Sequence, residues 1–274
     1  MNEIIHYFTN IPSAHRALIL AGGISFFWLI ETAVPLFKFS YNKWQHAGIN
    51  IFFTITTMIV NFCLAVILLK TAQWTVDTHF GLLNWLPEMN PWLYAIVGLL
   101  LLDLIGAYLI HWIEHKVKFL WRFHLIHHTD TWIDTTSANR HHPGESVLRF
   151  IFTALGVLVV GSPMWMIFLY QTLSVVATQF NHANIVLPKR LDTFLSYFIV
   201  SPDMHKVHHH YVLPYTDSNY GNIFSVWDRL FGTFKTLDRT KIVYGVDTHM
   251  KPEENNKLSN LLAIPFQKQR FPNQ

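Results

Sequence analysis

Residues 92–128 read WLYAIVGLLLLDLIGAYLIHWIEHKVKFLWRFHLIHH, an apolar run that leads directly into two groups of histidines. The apolar part, residues 92–110, contains a single charged residue, Asp103. A helix of about 20 apolar residues crosses the ~30 Å hydrocarbon core of a bilayer, so this run is predicted to span a membrane. Side chains three and four residues apart share a face of a helix, so histidines at these spacings are predicted to converge where the span ends.

Three further apolar stretches complete the predicted bundle. Residues 18–37 and 49–69 are each long enough for one span, whereas residues 147–180 are too long for one. Gly161, Ser162 and Pro163 form a strong turn signal inside the last stretch, so we predict a helical hairpin there, with a first arm that is short for a span. The predicted fold class is all-α: an integral membrane helical bundle of about three spans plus a helical hairpin.

The remaining segments are predicted to belong to the same single domain, residues 1–274. Residues 111–146 and 181–236 would form a histidine-rich catalytic cap. Residues 237–274 are polar and are expected to pack against the cap or to trail from it.

Composition supports a membrane protein. The chain is 51% hydrophobic and 14% charged, whereas soluble domains carry about 25% charged residues. The net charge is +3 without basic clusters interleaved with aromatics, so no nucleic-acid partner is expected. The only cysteine, Cys63, excludes paired-cysteine metal sites and is predicted to be a small buried apolar residue.

The distribution of lysine and arginine predicts the orientation in the membrane. These residues follow the first span, the third span and the hairpin, whereas the loop after the second span is mainly acidic. Cytoplasmic loops are enriched in Lys and Arg. We therefore predict a multi-pass protein with its N-terminus outside and its cap on the cytoplasmic side.

Nine of the 17 histidines form the predicted metal site. They make one HxxxH box, two HxxHH boxes and one isolated position after the hairpin: His111, His115, His124, His127, His128, His182, His205, His208 and His209. On a helix, HxxxH directs two imidazoles to the same side and HxxHH directs three. Nine nitrogen ligands suit two ions better than one, and they suit iron, zinc or copper.

The other histidines and two acidic residues carry weaker predictions. His6, His15, His46, His79 and His249 are interpreted as surface or satisfied core residues, and metal contact by His141, His142 and His210 is left open. Asp103 precedes His111 by about two helical turns, so it either accepts an imidazole N–H or pairs with a neighbouring helix. Glu31 is assigned to the interfacial region of the membrane.

The segment from Asp103 to Phe234 resembles the fatty acid hydroxylase and sterol desaturase superfamily of membrane histidine-box di-iron oxygenases. The resemblance is carried by the HxxxH pair, FLWRFHLIHHTD, TTSANRHHPGE, FNHAN, PDMHKVHHH and DSNYGNIFSVWDRLFGTF. TTSANRHHPGE resembles the Arg-x-His-Pro element of the family, in which His142 stands at the position of the histidine. Two features depart from the family pattern: Trp112 stands where arginine often follows the first histidine, and Asp103 lies one residue further from the first box.

The resemblance implies two iron ions, which zinc can replace in purified material, and O₂ as co-substrate. It implies hydroxylation or desaturation of a membrane lipid, such as a sterol or a fatty acyl chain, by the di-metal centre itself. Electrons would come from a separate cytochrome- or ferredoxin-type protein with its reductase. Two alternatives stay open: a membrane zinc hydrolase using the HxxEH residues His111, Glu114 and His115, and a non-catalytic membrane metal carrier.

Overall fold

The structure is a computed structural model that describes residues 1–268 and 270. Its α-helices are α1 Asn2–Thr9, α2 Ser13–Ala33, α3 Lys43–Asp77, α4 Leu82–Trp85, α5 Pro91–Asp103, α6 Ile110–Lys116, α7 Lys118–His128, α8 Pro143–Val160, α9 Met164–His182, α10 Lys189–Leu195, α11 Pro202–His208, α12 Val226–Leu230, α13 Pro252–Asn255 and α14 Leu258–Ala263. A π-helix covers Leu104–Leu109, and 3₁₀-helices cover Thr135–Asn139, Arg239–Lys241, Asp247–His249 and Ile264–Phe266. The described residues pair only in isolated β-bridges, so the predicted all-α class is confirmed.

Within the described residues, four helices are long and apolar enough to cross a membrane: Ser13–Ala33, Lys43–Trp85, Pro91–Lys116 and Pro143–Val160. The first ends at Ala33 rather than at Phe37. Pro35 disfavours the helical conformation of the residue before it, Val34, so the helix stops there. The first hairpin arm begins at Pro143, earlier than predicted, and is long enough for a span. The second arm, α9, carries glutamine and asparagine among its apolar residues and is not one of the four.

The predicted turn of the hairpin is confirmed. Gly161 ends α8 in the left-handed conformation, with φ 73°. The Nδ2 of Asn84 donates to the Gly161 carbonyl at 3.2 Å. A Cβ atom added to Gly81 would lie 2.5 Å from the Gly161 backbone nitrogen. The loop after α3 therefore packs directly on the hairpin tip, at the end of the bundle away from the histidines.

The π-helix explains the extra residue between Asp103 and the first histidine box. At about 3.6 residues per turn, seven residues return to nearly the same face of an α-helix, whereas eight overshoot it by about 80°. A π-helical turn absorbs one additional residue without that rotation. Both side chains consequently face the same cap segment: Asp103 accepts the backbone N–H of Phe224 at 3.1 Å, and the Nδ1 of His111 lies 2.9 Å from the Tyr220 carbonyl oxygen.

The two largest of the four buried apolar clusters among the described residues join the bundle and the tail. The larger core joins α3, α5, α8 and α9 and buries the hairpin residues Trp165 and Tyr170. A second core packs Leu261 and Ile264 of the C-terminal tail against Ile126 of α7, so the tail packs on the cap. Cys63 was predicted to be buried, and this is wrong: it is exposed on α3.

Buried polar contacts fasten the ends of α2 and α3 to the cap. The Oε2 of Glu31 accepts the backbone N–H groups of Thr135 at 3.1 Å and Asn184 at 3.0 Å. Glu31 is only 3% exposed, so its side chain is part of the protein interior. His46 is a satisfied core residue, because its Nε2 lies 2.9 Å from both carboxylate oxygens of Asp130.

Candidate metal centre

The structure brings the nine predicted histidines together in two adjoining groups. Within each group, one nitrogen per residue lies within 4.8 Å of all the others. The five-histidine group contains His111, His115, His124, His128 and His208, and the four-histidine group contains His127, His182, His205 and His209. Helices α6, α7, α9 and α11 supply eight of these residues, and His209 follows directly after α11.

Each HxxHH box contributes to both groups. In the first box, His124 and His128 belong to the five-histidine group and His127 to the four-histidine group. The second box is divided in the opposite sense, because His205 and His209 join the four and His208 joins the five. Successive residues are about 100° apart around a helix, so the second and third histidines of a box lie about 60° to one side and about 40° to the other side of the first. The box therefore covers an arc of about 100°, which is wide enough to reach two neighbouring groups. The predicted common direction of all three imidazoles in a box is therefore wrong, because each box is divided between the two groups.

The spacing of the imidazole nitrogens tests whether ions fit between them. The Nε2 of His124 lies 3.1 Å from the Nε2 atoms of His111 and His128. In the other group, the Nε2 of His182 lies 3.1 Å from those of His127 and His205. Two nitrogens each about 2.1 Å from one ion are about 3.0 Å apart in an octahedron and about 3.4 Å apart in a tetrahedron. The observed 3.1 Å lies between these two values, so the nitrogens of each group are spaced closely enough to share one ion.

Hydrogen-bond acceptors orient several of the rings from outside. The Nδ1 of His111 faces the Tyr220 carbonyl at 2.9 Å, and that of His208 faces the Ser218 carbonyl at 2.7 Å. His182 Nδ1 lies 2.8 Å from the Thr178 carbonyl. A carbonyl oxygen only accepts, so each Nδ1 carries the proton and each Nε2 lone pair points inward. Such outer partners set the tautomer and the direction of metal-binding histidines.

A buried carboxylate orients His124. The Oε1 of Glu145 accepts from His124 Nδ1 at 2.8 Å, from His141 Nδ1 at 2.7 Å and from Arg149 Nε at 2.9 Å. Arg149 also donates to Glu114 at 2.6 Å. Glu145 and Arg149 were not among the predicted site residues, although Glu145 ends the TTSANRHHPGE segment.

The two adjacent histidines of that segment have different positions. His141 lies with His124 and Glu145 in a third cluster of possible ligands, and its ring stacks on His127 with centroids 4.7 Å apart. His142 caps α8 instead, because its Nδ1 accepts the backbone N–H of Gly144 at 3.0 Å. His142 thus lies outside the two main groups, and His141 contacts both.

Asp103 and His210 also lie outside the two groups. Asp103 accepts the backbone N–H groups of Ile223 and Phe224 and the indole N–H of Trp227. The imidazole hydrogen bond considered for it is therefore not formed, and it anchors the segment before and within α12. The Nδ1 of His210 accepts the backbone N–H of Val243 at 3.1 Å.

Burial keeps the cap imidazoles neutral, as metal ligands must be. Burial lowers the pKa of His208 to about 3, and it lowers the pKa of His124 to about 4 although Glu145 acts to raise it. Burial, reinforced by the neighbouring imidazoles, holds the pKa values of His127, His128 and His209 well below the usual range. Among the described residues, the Nε2 atoms of His115 and His208 are buried without a hydrogen-bond partner. A bound ion would satisfy them.

Apolar helices that end at a buried cluster of imidazoles define the class of membrane histidine-box proteins. The chain belongs to the fatty acid hydroxylase family, whose model matches residues 95–233. This match contains all nine histidines of the two groups and confirms the resemblance noted from the sequence.

Several characterised proteins are similar to the chain. An ornithine lipid hydroxylase from Rhizobium tropici is 26% identical over 180 residues, which cover 65% of this chain and 52% of that protein. Alkylglycerol monooxygenase from Homo sapiens is 31% identical over 180 residues, covering 62% of this chain and 36% of the relative. A cholesterol 25-hydroxylase-like protein from Danio rerio is 26% identical over 182 residues, which cover 64% of this chain and 63% of that protein. The chain thus spans about half the length of the first relative and less of the second, and no solved structure matches it significantly.

Proposed function

We propose that the protein binds two iron ions and uses O₂ to hydroxylate or desaturate a membrane lipid. The observation that carries this proposal is the arrangement of nine buried imidazoles in adjoining groups of five and four. Structural zinc sites almost always take four ligands, so a group of five favours iron. The names of the relatives, a lipid hydroxylase and a monooxygenase among them, favour hydroxylation of a lipid.

Each ion would be held by one group of histidines. Bound iron would supply the redox chemistry that activates O₂ toward an unactivated C–H bond, with electrons from a separate cytochrome- or ferredoxin-type donor and its reductase. The protein's own residues position and insulate the site. Carbonyl groups and Glu145 fix the ring orientations, and the buried imidazoles exclude water from the centre.

The membrane arrangement is part of the same proposal. The four apolar helices would cross the bilayer as one multi-pass domain and bring the lipid to the imidazole cluster at one end. The lysines and arginines that follow the third span and the hairpin favour a cytoplasmic position for the cap.

The zinc hydrolase and the metal carrier are less well supported. A hydrolase would need the carboxylate of Glu114 as a free base, but Glu114 is fully buried and its Oε2 lies 2.6 Å from Arg149 Nη2. The same five-histidine group also includes members of both HxxHH boxes, which that chemistry does not require. A carrier would place ligands along its spans, whereas these cluster at one end.

The proposal is tested by metal content and lipid products of two single variants. His208→Ala removes a ligand from the five-histidine group, and His127→Ala removes one from the four-histidine group. We expect about two iron ions per chain in the wild type and loss of the O₂-dependent lipid product in either variant. His6→Ala serves as the control, because His6 is an exposed histidine of α1. Unchanged product in the His127 and His208 variants, or one zinc per chain with no iron, would refute the proposal.

A further inference from the structure

A cleft of about 380 Å³ opens beside the five-histidine group. Its floor contains His115 and Trp121, whose ring centroids lie 4.7 Å apart. Its walls come from the start of α7, residues 211–217 and the C-terminal tail. Small-molecule sites are concave and have volumes of about 300–1,000 Å³. The shape therefore suits a small molecule or the head of a larger one.

The charged groups of the cleft are mostly cations. Lys118, Arg122, Lys268 and Arg270 line it. Arg270 is paired with Glu254, whereas the other three form no ion pair with a residue that the structure describes. The Arg122 guanidinium donates to the carbonyl oxygen of Gln267 at 2.6 Å. Two carboxylates also line the cleft, Asp217 and Asp247. Asp217 is already paired with Lys116, so only Asp247 offers a negative charge to these cations. Uncompensated cations that converge in a concavity attract an anion.

Apolar groups lie beside these cations. Trp121, Leu125 and Ile264 line the same cleft. The ligand best suited to such a lining is an amphiphile with an anionic group and an apolar portion.

The position of the cleft points to the membrane as the source of that amphiphile. Lys118 lies two residues after Lys116, where the third candidate span ends. Its neighbours Val117 and Phe119 are 44% and 62% exposed. Basic residues beside apolar ones at the end of a span lie at the level of lipid head groups.

We propose that this cleft binds the anionic head group, phosphate or carboxylate, of the lipid that the metal centre oxidises. The assignment of that lipid as substrate rests on the proposed function, whereas the binding of the head group does not. Arg122 offers a guanidinium that can hold two oxygens at once, and Lys118 offers a mobile ammonium group at the rim.

Binding is measured with the full chain in phosphatidylcholine nanodiscs, by equilibrium dialysis against three probes. The probes are dihexanoyl phosphatidic acid, dihexanoyl phosphatidylcholine and inorganic phosphate. We expect phosphatidic acid to bind at least about tenfold more tightly than the other two, because its head is anionic and its chains are apolar. Lys118→Gln should weaken its binding by about tenfold, and Arg122→Gln should do the same. Lys189→Gln is the matched control, since Lys189 is exposed on α10 and outside the cleft.

Each alternative outcome overturns a defined part of the inference. Equal binding of phosphatidic acid and phosphatidylcholine, or no effect of both cleft variants, would overturn the anionic site. Inorganic phosphate binding as tightly as phosphatidic acid would identify a free-phosphate site and overturn the lipid assignment. In cells, the lipid product lost in His208→Ala should carry a phosphate or carboxylate head, and a neutral product would overturn the substrate class. An inactive protein that still binds phosphatidic acid through Lys118 would refute only the proposed function.

Discussion

Replacement of Glu145 by glutamine should weaken metal binding at one group of histidines and leave the other group intact. Glu145 Oε1 accepts from His124, His141 and Arg149 within 2.9 Å, and its other oxygen is buried without a described partner. Glutamine keeps the shape but removes the negative charge and puts an NH₂ group at the buried position. Hydrogen bonds to an ionised acceptor are roughly twice as strong as neutral ones. The hold on His124 therefore weakens.

The expected magnitude follows from the position of Glu145 behind a candidate ligand. Loss of such a partner typically lowers metal affinity by about 10- to 100-fold, which corresponds to about 1.4–2.8 kcal/mol. Of the nine histidines in the two groups, only His124 donates to Glu145. His124 belongs to the five-histidine group, so we expect the loss of metal affinity at that group alone.

The assay is iron retention by the purified protein during titration with a chelator. Glu145→Gln should release one ion at a chelator concentration about 10- to 100-fold lower than the wild type requires for that ion, and it should release the other ion at the wild-type concentration. Glu88→Gln is the control, because Glu88 is an exposed carboxylate at the opposite end of the bundle. Equal retention by Glu145→Gln and the wild type, or early loss of both ions, would refute the reasoning.

Three further predictions concern the same cap and the hairpin. His141→Ala should lower metal retention and product yield, whereas His142→Ala should cost only about 1 kcal/mol of helix capping in a denaturant titration; equal effects on metal retention would contradict the assignment. Burial lowers the pKa of His124 to about 4 from 6.5, so the unfolded chain binds more protons between these values and the free energy of unfolding should fall as the pH drops from 6.5 toward 4. A flat pH profile of thermal unfolding would show otherwise. Gly161→Ala should lower the free energy of unfolding by about 1–3 kcal/mol, because φ is 73° and a Cβ would lie 2.4 Å from the Phe80 carbonyl oxygen. An unchanged midpoint of unfolding would count against this.

The convergence of the histidines was predictable because it depends on local geometry. Spacings of three and four residues define a helix face whatever the rest of the fold does. The hairpin turn was equally local, since Gly161 and Pro163 mark it directly. The division of each HxxHH box between two groups was not predictable from spacing, because it depends on where α6, α9 and α11 lie around α7.

Side chains that act across the fold were harder to identify. Glu145 lies 21 residues after His124 along the chain, and no periodic pattern connects them. Asp103 was recognised as unusual, but its partners follow it by 120 or more positions. Cys63 was misplaced for a different reason. A helix that faces lipid is apolar on all sides, so hydrophobicity does not distinguish its buried face from its exposed face.

The shared boxes have a consequence for how the two groups are coupled. Since α7 and α11 each supply ligands to both groups, the separation of the two ions would be set by the distance between these two helices. Rings of the two groups are in direct contact across this boundary, with centroids 4.8 Å apart for His128 and His209. A shift of either helix would move ligands of both ions together. Changes that displace a whole helix should therefore affect both ions, whereas a contact to a single ring, such as Glu145 with His124 or the Ser218 carbonyl with His208, orients a ligand of the five-histidine group only.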